Sequence, residues 1–408
     1  MPTVAIFPWG DVIEDFLDPI GLTVSDFVER MSGGWLFGYV AALQATGWRA
    51  VIVCVSKEVT TARKCRHRST GATIWIVPGR PTAPTVRPSR HALRQWAGTP
   101  LRAFVGVLRS EVCDYVLAQE YEYARFDVLA LLCAWRRLPL FATFQGGDVT
   151  LSSAESKVRR WSMRRSRGLI IASAQERARV AARYPDLSSP VAAIPNPLDT
   201  EEWRALPRAQ ARAELGLPQD VFLVVNHGRI DVRRKGLDIL LDVWGRFVHS
   251  RPDARLHVLG AGQDDDQFAP MLANANLPSI SWDARYTTDR LEVRRWLSAA
   301  DAYIITSRTE GMPVAPIEAM SCGLPVVASR AQGLPEIFPL GELSGGLLFD
   351  SGDPMAAVAA LARLAGDARY RQALAEAGRA TVEARFSIAA VGRALTNFLS
   401  RPAVKAPA

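Results

Sequence analysis

The chain has 408 residues, 49% hydrophobic and 22% charged, which excludes a disordered protein, the tail at residues 402–408 aside, and exceeds what one hydrophobic core usually organises. No apolar run reaches bilayer length, and the start, Met1 to Phe7, lacks the basic region of a signal peptide. Five scattered cysteines (Cys54, Cys65, Cys113, Cys133, Cys322) have neither disulfide-framework nor metal-ligand spacing, so free thiols and a cytoplasmic location are expected.

The net charge of +8 is unevenly placed. Residues 1–197 carry 25 Lys and Arg against 16 Asp and Glu, and the remainder carries 24 against 25. The first half therefore suits an acidic partner: phosphate groups, an anionic substrate, or an anionic membrane surface with peripheral association. An ordinary solvated basic face accounts for the excess equally well, and no nucleic-acid partner is expected.

Short apolar runs spaced by helical patterns predict buried strands at Val4–Phe7, Ala50–Val55, Thr73–Val77, Tyr115–Ala118, Leu140–Phe144, Leu169–Ala172 and Val191–Ile194. This is the βαβ pattern of a parallel sheet covered on both faces. Between the first strand and Ser32-Gly33-Gly34, residues 8–31 must form an inserted loop or short helix, with a longer helix starting near Trp35. The Pro- and Arg-rich stretch Pro78 to Arg90 reads as an extended loop. A basic helix follows it, with Arg90, Arg94, Arg102 and Arg109 beside Trp96 and Phe104. It reads as an ordinary amphipathic helix, with a membrane-surface helix as the sharper alternative.

Two prolines in Ile194-Pro-Asn-Pro-Leu-Asp199 mark a hinge. Strands then restart at Val221–Asn226, Leu256–Leu259, Ile280–Trp282, Tyr303–Thr306 and Pro325–Ala328. The expected fold class is α/β, with two doubly wound domains: residues 1–197, and residues 198–385. The terminal segment 386–408, with a helix at Ile388–Leu399, is expected to cross back to the first domain.

Chemistry concentrates in the second half. The strand ending at Asn226 runs into His227-Gly228-Arg229 and on to Lys235-Gly236. Strand ends of doubly wound sheets are where ligands sit. A guanidinium fork and a compact ammonium there suit a diphosphate. The strand at Tyr303–Thr306 leads to Glu310-Gly311-Met312-Pro313-Val314, then Glu318, in a second loop. The prolines suit a helix start, placing Glu310 in the loop and Glu318 one to two turns inside the helix. Amides of Gly311 to Val314 at that helix start suit an anion, leaving both carboxylates for neutral hydroxyl groups. The acidic run Asp264-Asp-Asp266 reads as a solvated loop, and no metal site is expected.

These two motifs, Gly-Arg-x5-Lys-Gly and Glu-x7-Glu, resemble those of the retaining glycosyltransferases of GT-B fold, family 4-like, also described as glycosyl transferases group 1. The resemblance spans nearly the whole chain and is sharpest from Gly228 to Pro325. It implies a GT-B architecture, two Rossmann-like domains facing a central cleft. The first would bind the acceptor and the second a nucleotide-diphosphate sugar, UDP or GDP. It implies that Arg229 and Lys235 hold the donor diphosphate, that Glu310 holds the sugar and that Glu318 holds the ribose. Gly228, Gly262 and Arg285 would lie at the nucleotide, with residues 282–286 lining the base largely through main chain. Gly311, Met312, Pro313 and Val314 would meet the diphosphate. Gly33 and Gly34 would approach the donor phosphates and the acceptor, where a bare backbone permits close contact. In Thr143-Phe-Gln145-Gly-Gly-Asp148 the family often has His where this chain has Gln145, beside the donor sugar. Asp148 would face the acceptor, or cap a helix.

The implied reaction is retaining, metal-independent transfer of a hexose to a hydroxyl acceptor, a glycan or a lipid-linked or anionic molecule. No cofactor is required beyond the donor. The competing readings are an epimerase or phosphorylase on the same fold and a non-catalytic sugar-nucleotide-binding protein. A nicotinamide dehydrogenase is disfavoured because no Gly-x-Gly-x-x-Gly follows the first strand.

Overall fold

The computed structural model describes residues 1–8, 10–31, 34–79, 93, 95–146 and 151–402. Gly33, Asp148, Arg90, Arg94 and most of the Pro- and Arg-rich stretch lie outside the described residues. The chain divides into two compact units, one formed by Met1–Pro195 with Val391–Ala408, the other by Asn196–Ala390.

The first unit holds an eight-stranded sheet. Its strands are β1 (Thr3–Phe7), β2 (Arg49–Ser56), β3 (Arg63–Arg66), β4 (Thr73–Pro78), β5 (Tyr115–Gln119), β6 (Leu140–Thr143), β7 (Gly168–Ile170) and β8 (Val191–Ala192). They lie in the order β3-β4-β2-β1-β5-β6-β7-β8. All are parallel except β3, which runs antiparallel along β4. β3 escapes sequence patterning because its residues, Arg-Lys-Cys-Arg, are mostly exposed at the sheet edge, where charge blocks further strand pairing. β1, β2, β5, β6 and β7 are buried on both faces, hence their continuous apolar runs.

Within residues 10–31, short helices span Glu14–Leu17, Asp18–Ile20 and Val24–Glu29, the last with a Thr23/Asp26 capping box. The longer helix spans Gly34–Ala45. Helix Leu101–Ser110 buries Phe104, Val107 and Leu108, the ordinary amphipathic reading. The terminal helix Ile388–Leu399 contributes Val391, Leu395 and Phe398 to the first unit's core. It can seat there because two glycines yield the space. A Cβ on Gly168 would strike the Phe398 ring, and one on Gly392 would strike the carbonyl of Ala42.

The second unit holds six parallel strands: β9 (Leu223–His227), β10 (Arg255–Leu259), β11 (Ile280–Asp283), β12 (Ala302–Ile305), β13 (Val326–Ser329) and β14 (Gly346–Phe349). Their order, β11-β10-β9-β12-β13-β14, is 3-2-1-4-5-6 counted from β9, the doubly wound Rossmann arrangement. Strand order reverses between β9 and β12, which pair directly. β14 lies outside the expected strands: its residues Gly-Leu-Leu-Phe include no β-branched side chain, the type that favours strands. Trp244 and Phe247, fully buried on the helix Leu237–Ser250, anchor the core, each worth about 2–3 kcal/mol of apolar burial. At the amino ends of β9 and β12, Arg212 is fully enclosed: it pairs with Asp301 at 2.8 Å and donates to the carbonyls of Ala299, Pro218 and Gln219.

Candidate functional site

The site elements of the second unit are the loops leaving β9, β10, β11 and β12 at their carboxyl ends. Three of these loops are stitched together through main chain. Gly228 N–H donates to Leu259, Ile230 N–H to Ala261, and Gly260 N–H to Asp283. The stacking is so close that a Cβ on Gly260 would overlap the Gly228 carbonyl oxygen, and one on Gly262 the Ile230 carbonyl oxygen. Gly262 is therefore first a packing glycine of the loops. Gly228 has φ 141°, a backbone conformation that also calls for glycine.

The β9 loop then folds onto the β12 loop. Asp231 caps the short helix Val232–Lys235, and Gly236 leaves it at φ 62°. The hydroxyl of Thr306, at the end of β12, donates to the carbonyl of Gly236 at 2.8 Å. Arg308 N–H donates to the carbonyl of Arg234 at 2.8 Å. This docking brings Lys235 Nζ to 2.6 Å from Glu310 Oε1, and Ser307 Oγ donates to the same oxygen at 2.6 Å. Burial opposes the charged form of Glu310, but the Lys235 ammonium and the Ser307 hydroxyl outweigh it and hold the carboxyl below its ordinary range.

Glu318 has a different partner. Its carboxylate meets His227 Nε2 at 2.8 Å. The helix carrying it spans Ala315–Ser321, with Val314 as N-cap, so Glu318 lies in the first turn rather than one to two turns inside. The helix starts later than Pro313 suggested because Met312 is held outside it: Asn196, buried, donates to the Met312 carbonyl at 2.9 Å. Gly311 packs so tightly on Gly333 that a Cβ at position 333 would overlap its carbonyl oxygen.

Arg229 stands half-buried and makes no ion pair among the described residues. Tyr286 lies in its field and in that of Glu318: burial raises the phenol, Glu318 adds to the effect and Arg229 opposes it. The structure thus places Arg229 and Lys235 on the segment leaving β9, and Glu310 and Glu318 on the loop and first helical turn that follow β12. His227, Tyr286, Asn196 and Ser307 join them and were not read from the sequence as individual site residues. For Asn196 the signal was present in the Pro-Asn-Pro hinge. The Arg285 side chain is 54% exposed and engaged by Asp283 at 2.9 Å and by Glu292. Any part it plays at a base falls to its main chain. The acidic run is not solvated loop either. Asp264 accepts from the Val232 amide at 2.9 Å and Asp265 from the Gly262 amide at 2.9 Å, at the start of the helix Asp265–Ala275. No cluster of metal-ligating side chains occurs among the described residues.

In the first unit, Gly34 opens its helix and Gln145 follows β6. Gln145 Nε2 donates to Thr143 Oγ1 at 3.1 Å, its main-chain amide donates to Glu120 Oε2 at 3.0 Å, and its side chain bonds Tyr39. Glu120, just past β5, is buried at φ 128°, a costly backbone for a residue with a side chain. Beside it, Tyr121, Glu122, Glu176 and Arg179 form a connected network. Gln119 is 1% exposed, and neither atom of its carboxamide has a protein partner among the described residues. A buried amide of this kind awaits water or a ligand. Sequence reasoning passed over Gln119 and Glu120 because neither belongs to a motif.

Two family descriptions match the chain. Glycosyltransferase Family 4 covers residues 36–202, and Glycosyl transferases group 1 covers residues 221–367. The lipopolysaccharide core biosynthesis glycosyltransferase LpsD of Rhizobium meliloti is 30% identical over 226 residues, 54% of this chain and 63% of that protein. The chain thus spans less than two thirds of that relative's length. Sucrose-phosphate synthase from Thermosynechococcus elongatus superposes with TM-score 0.74 at 20% identity, covering 97% of this chain and 98% of that one. Anabaena HepE in complex with UDP superposes with TM-score 0.72 at 16% identity, over 98% of this chain and 100% of that one. With a family 4 domain in its first half and a group 1 domain on a Rossmann sheet in its second, the chain belongs to the GT-B glycosyltransferases.

Proposed function

We propose that this protein transfers a hexose from a nucleotide-diphosphate sugar, UDP- or GDP-linked, to a hydroxyl acceptor with retention of anomeric configuration. The observation that carries the reading is the grouping, at the point where strand order reverses, of the unpaired Arg229 with the Lys235–Glu310 pair. A diphosphate is the anion that an Arg fork and a Lys ammonium suit together. On this reading the incoming diphosphate draws Lys235 toward itself and frees Glu310 to accept from sugar hydroxyls. Glu318, already oriented by His227, accepts from the ribose.

The chemistry requires only positioning and charge. Arg229, Lys235 and the amides at the helix start near Met312 stabilise the departing diphosphate. The diphosphate itself takes the acceptor proton on the face it leaves. No metal and no further cofactor takes part, so activity persists in chelator. In the first unit, Gly33 and Gly34 adjoin the donor, Gln145 bonds the donor sugar, and Gln119, Glu120 and Asp148 serve the acceptor side. The protein works in the cytoplasm. The basic first half favours an anionic acceptor, with peripheral attachment to an anionic membrane; no helix among the described residues is long and apolar enough to cross one.

The test is thermal unfolding against UDP-, GDP- and ADP-sugars, since a ligand bound only by the folded state raises the melting temperature. One nucleotide class should stabilise the protein, and Arg229→Ala and Glu318→Ala should abolish the shift. A shift that survives both substitutions, or none with any nucleotide sugar, overturns the donor assignment. The anomeric configuration of the product decides retention.

A further inference from the structure

The amino ends of β6, β7 and β8 in the first unit border a concavity of about 550 Å³. This edge is opposite to the strand ends that carry Gln145, so it is separate from the chemistry proposed above. Five arginines line it, Arg137, Arg164, Arg165, Arg167 and Arg401, together with Ser188 and Ser189, and no carboxylate does.

Helix ends explain part of this charge but not all of it. Helices Ala124–Arg136, Ser153–Arg165 and Ile388–Leu399 all terminate at the concavity, and cations are favoured at helix carboxyl ends. Each helix end presents about half a negative charge, so three supply about 1.5. Among the described residues, Asp186 alone pairs with a lining arginine, Arg164. More than two positive charges stay unmatched. The arrangement also pulls cations together: Arg167 donates to the Arg401 carbonyl at 2.9 Å. Arg165 lies over the Trp161 ring at 5.7 Å and Arg401 over Phe398 at 5.5 Å, which preorganises both guanidinium groups.

We propose that this concavity is a second anion site, built to take a phosphate-bearing group, as a free phosphate ester or as the headgroup of an anionic lipid. Arginine forks match phosphate oxygens in pairs, and clustered unpaired forks are the arrangement that gains most from such a ligand. The exposed Trp161, whose ring carries Arg165, and the exposed Trp135, two residues before Arg137, add amphipathic rings that suit a headgroup layer.

The experiment uses the full chain at low salt in two arms. One titrates glycerol 3-phosphate by calorimetry. The other sediments the protein with vesicles of phosphatidylglycerol in phosphatidylcholine. The pocket variant is Arg137→Gln with Arg165→Gln. The control is Arg63→Gln with Arg68→Gln, an equal loss of charge at exposed positions of the same unit. Unfolding curves establish that both variants fold. Binding in either arm, weakened at least tenfold in the pocket variant and less than twofold in the control, supports the site. The arm that responds names the source of the phosphate. Absence of binding in both arms, or equal loss in the two variants, overturns it. The nucleotide-sugar melting shift, measured on the pocket variant, should match wild type, so failure here and failure of the donor assignment remain distinguishable.

Discussion

The carboxyl ends of the two sheets are built from opposite materials. In the second unit, the loops after β9 and β12 present charged groups: Arg229, without an ion pair among the described residues, and Lys235 on Glu310, with the His227 ring on Glu318. In the first unit, the corresponding corner holds neutral amides and a buried acidic network: Gln119, Gln145, Glu120 and Glu176. The contrast follows the chemistry proposed for each. A diphosphate leaving group is an anion, and charge is the strongest means of holding it in a water-poor loop. Hydroxyl groups of sugars are neutral, and amides and carboxylates orient them without competing for the phosphates.

Removing a charge from the second unit should therefore do the most damage. Lys235→Ala would leave Glu310 buried without its counter-charge, which costs about 3–5 kcal/mol in unfolding free energy. Pairing it with Glu310→Gln should recover most of that stability without restoring transfer. Recovery of transfer by the double variant would sink the idea that charge is what matters here. Arg229 has no such partner to strand. Arg229→Ala should leave stability nearly unchanged while lowering kcat about 100- to 1000-fold, the usual range for a lost transition-state donor.

Acid sharpens the comparison next. His257, on β10, is buried, stacked on Trp296 at 3.5 Å and bonded to Ser281 at 2.9 Å. Burial lowers it to about 4, against Asp283 and Glu292, which act the other way. A folded value below the unfolded one means stability is fully present above about pH 6.5 and is lost as the pH falls toward 4, by about 3 kcal/mol. Denaturant titrations across that window should show the loss in wild type and a flatter profile in His257→Asn.

The smallest effect tests the neutral corner. Gln145→His introduces a group that titrates near pH 6.5 where none stands now. Transfer by wild type should show no inflection from this position between pH 5 and 8. The variant should show one, with about a tenfold change or less in kcat. An unchanged pH profile would remove Gln145 from the reaction centre.

The sequence carried the parallel strands and the two charged loops in plain view. Fully buried strands need continuous apolar runs, and a strand-end anion site needs particular residue types at short spacing. Charged Arg63–Arg66 and Gly346–Phe349, which lacks any β-branched residue, hid as strands, because their pairing comes from neighbours and not from their own pattern. Gly262 illustrates the same limit at the site: it reads as part of a nucleotide turn, yet its first duty is to let one loop lie against the Ile230 carbonyl.

What the linear chain determined is therefore local: strand propensity, helix caps, the order of the motifs and the cations each loop offers. What only the tertiary structure decided is which of those groups meet. Lys235 faces Glu310 across 75 residues, and His227 faces Glu318 across 91. Five arginines from two helix ends, a strand approach and the terminal segment converge on one concavity. Spacing along a chain specifies a residue's own backbone, but a side chain's partner is set by how separate elements pack, and that free energy is spread over the whole core.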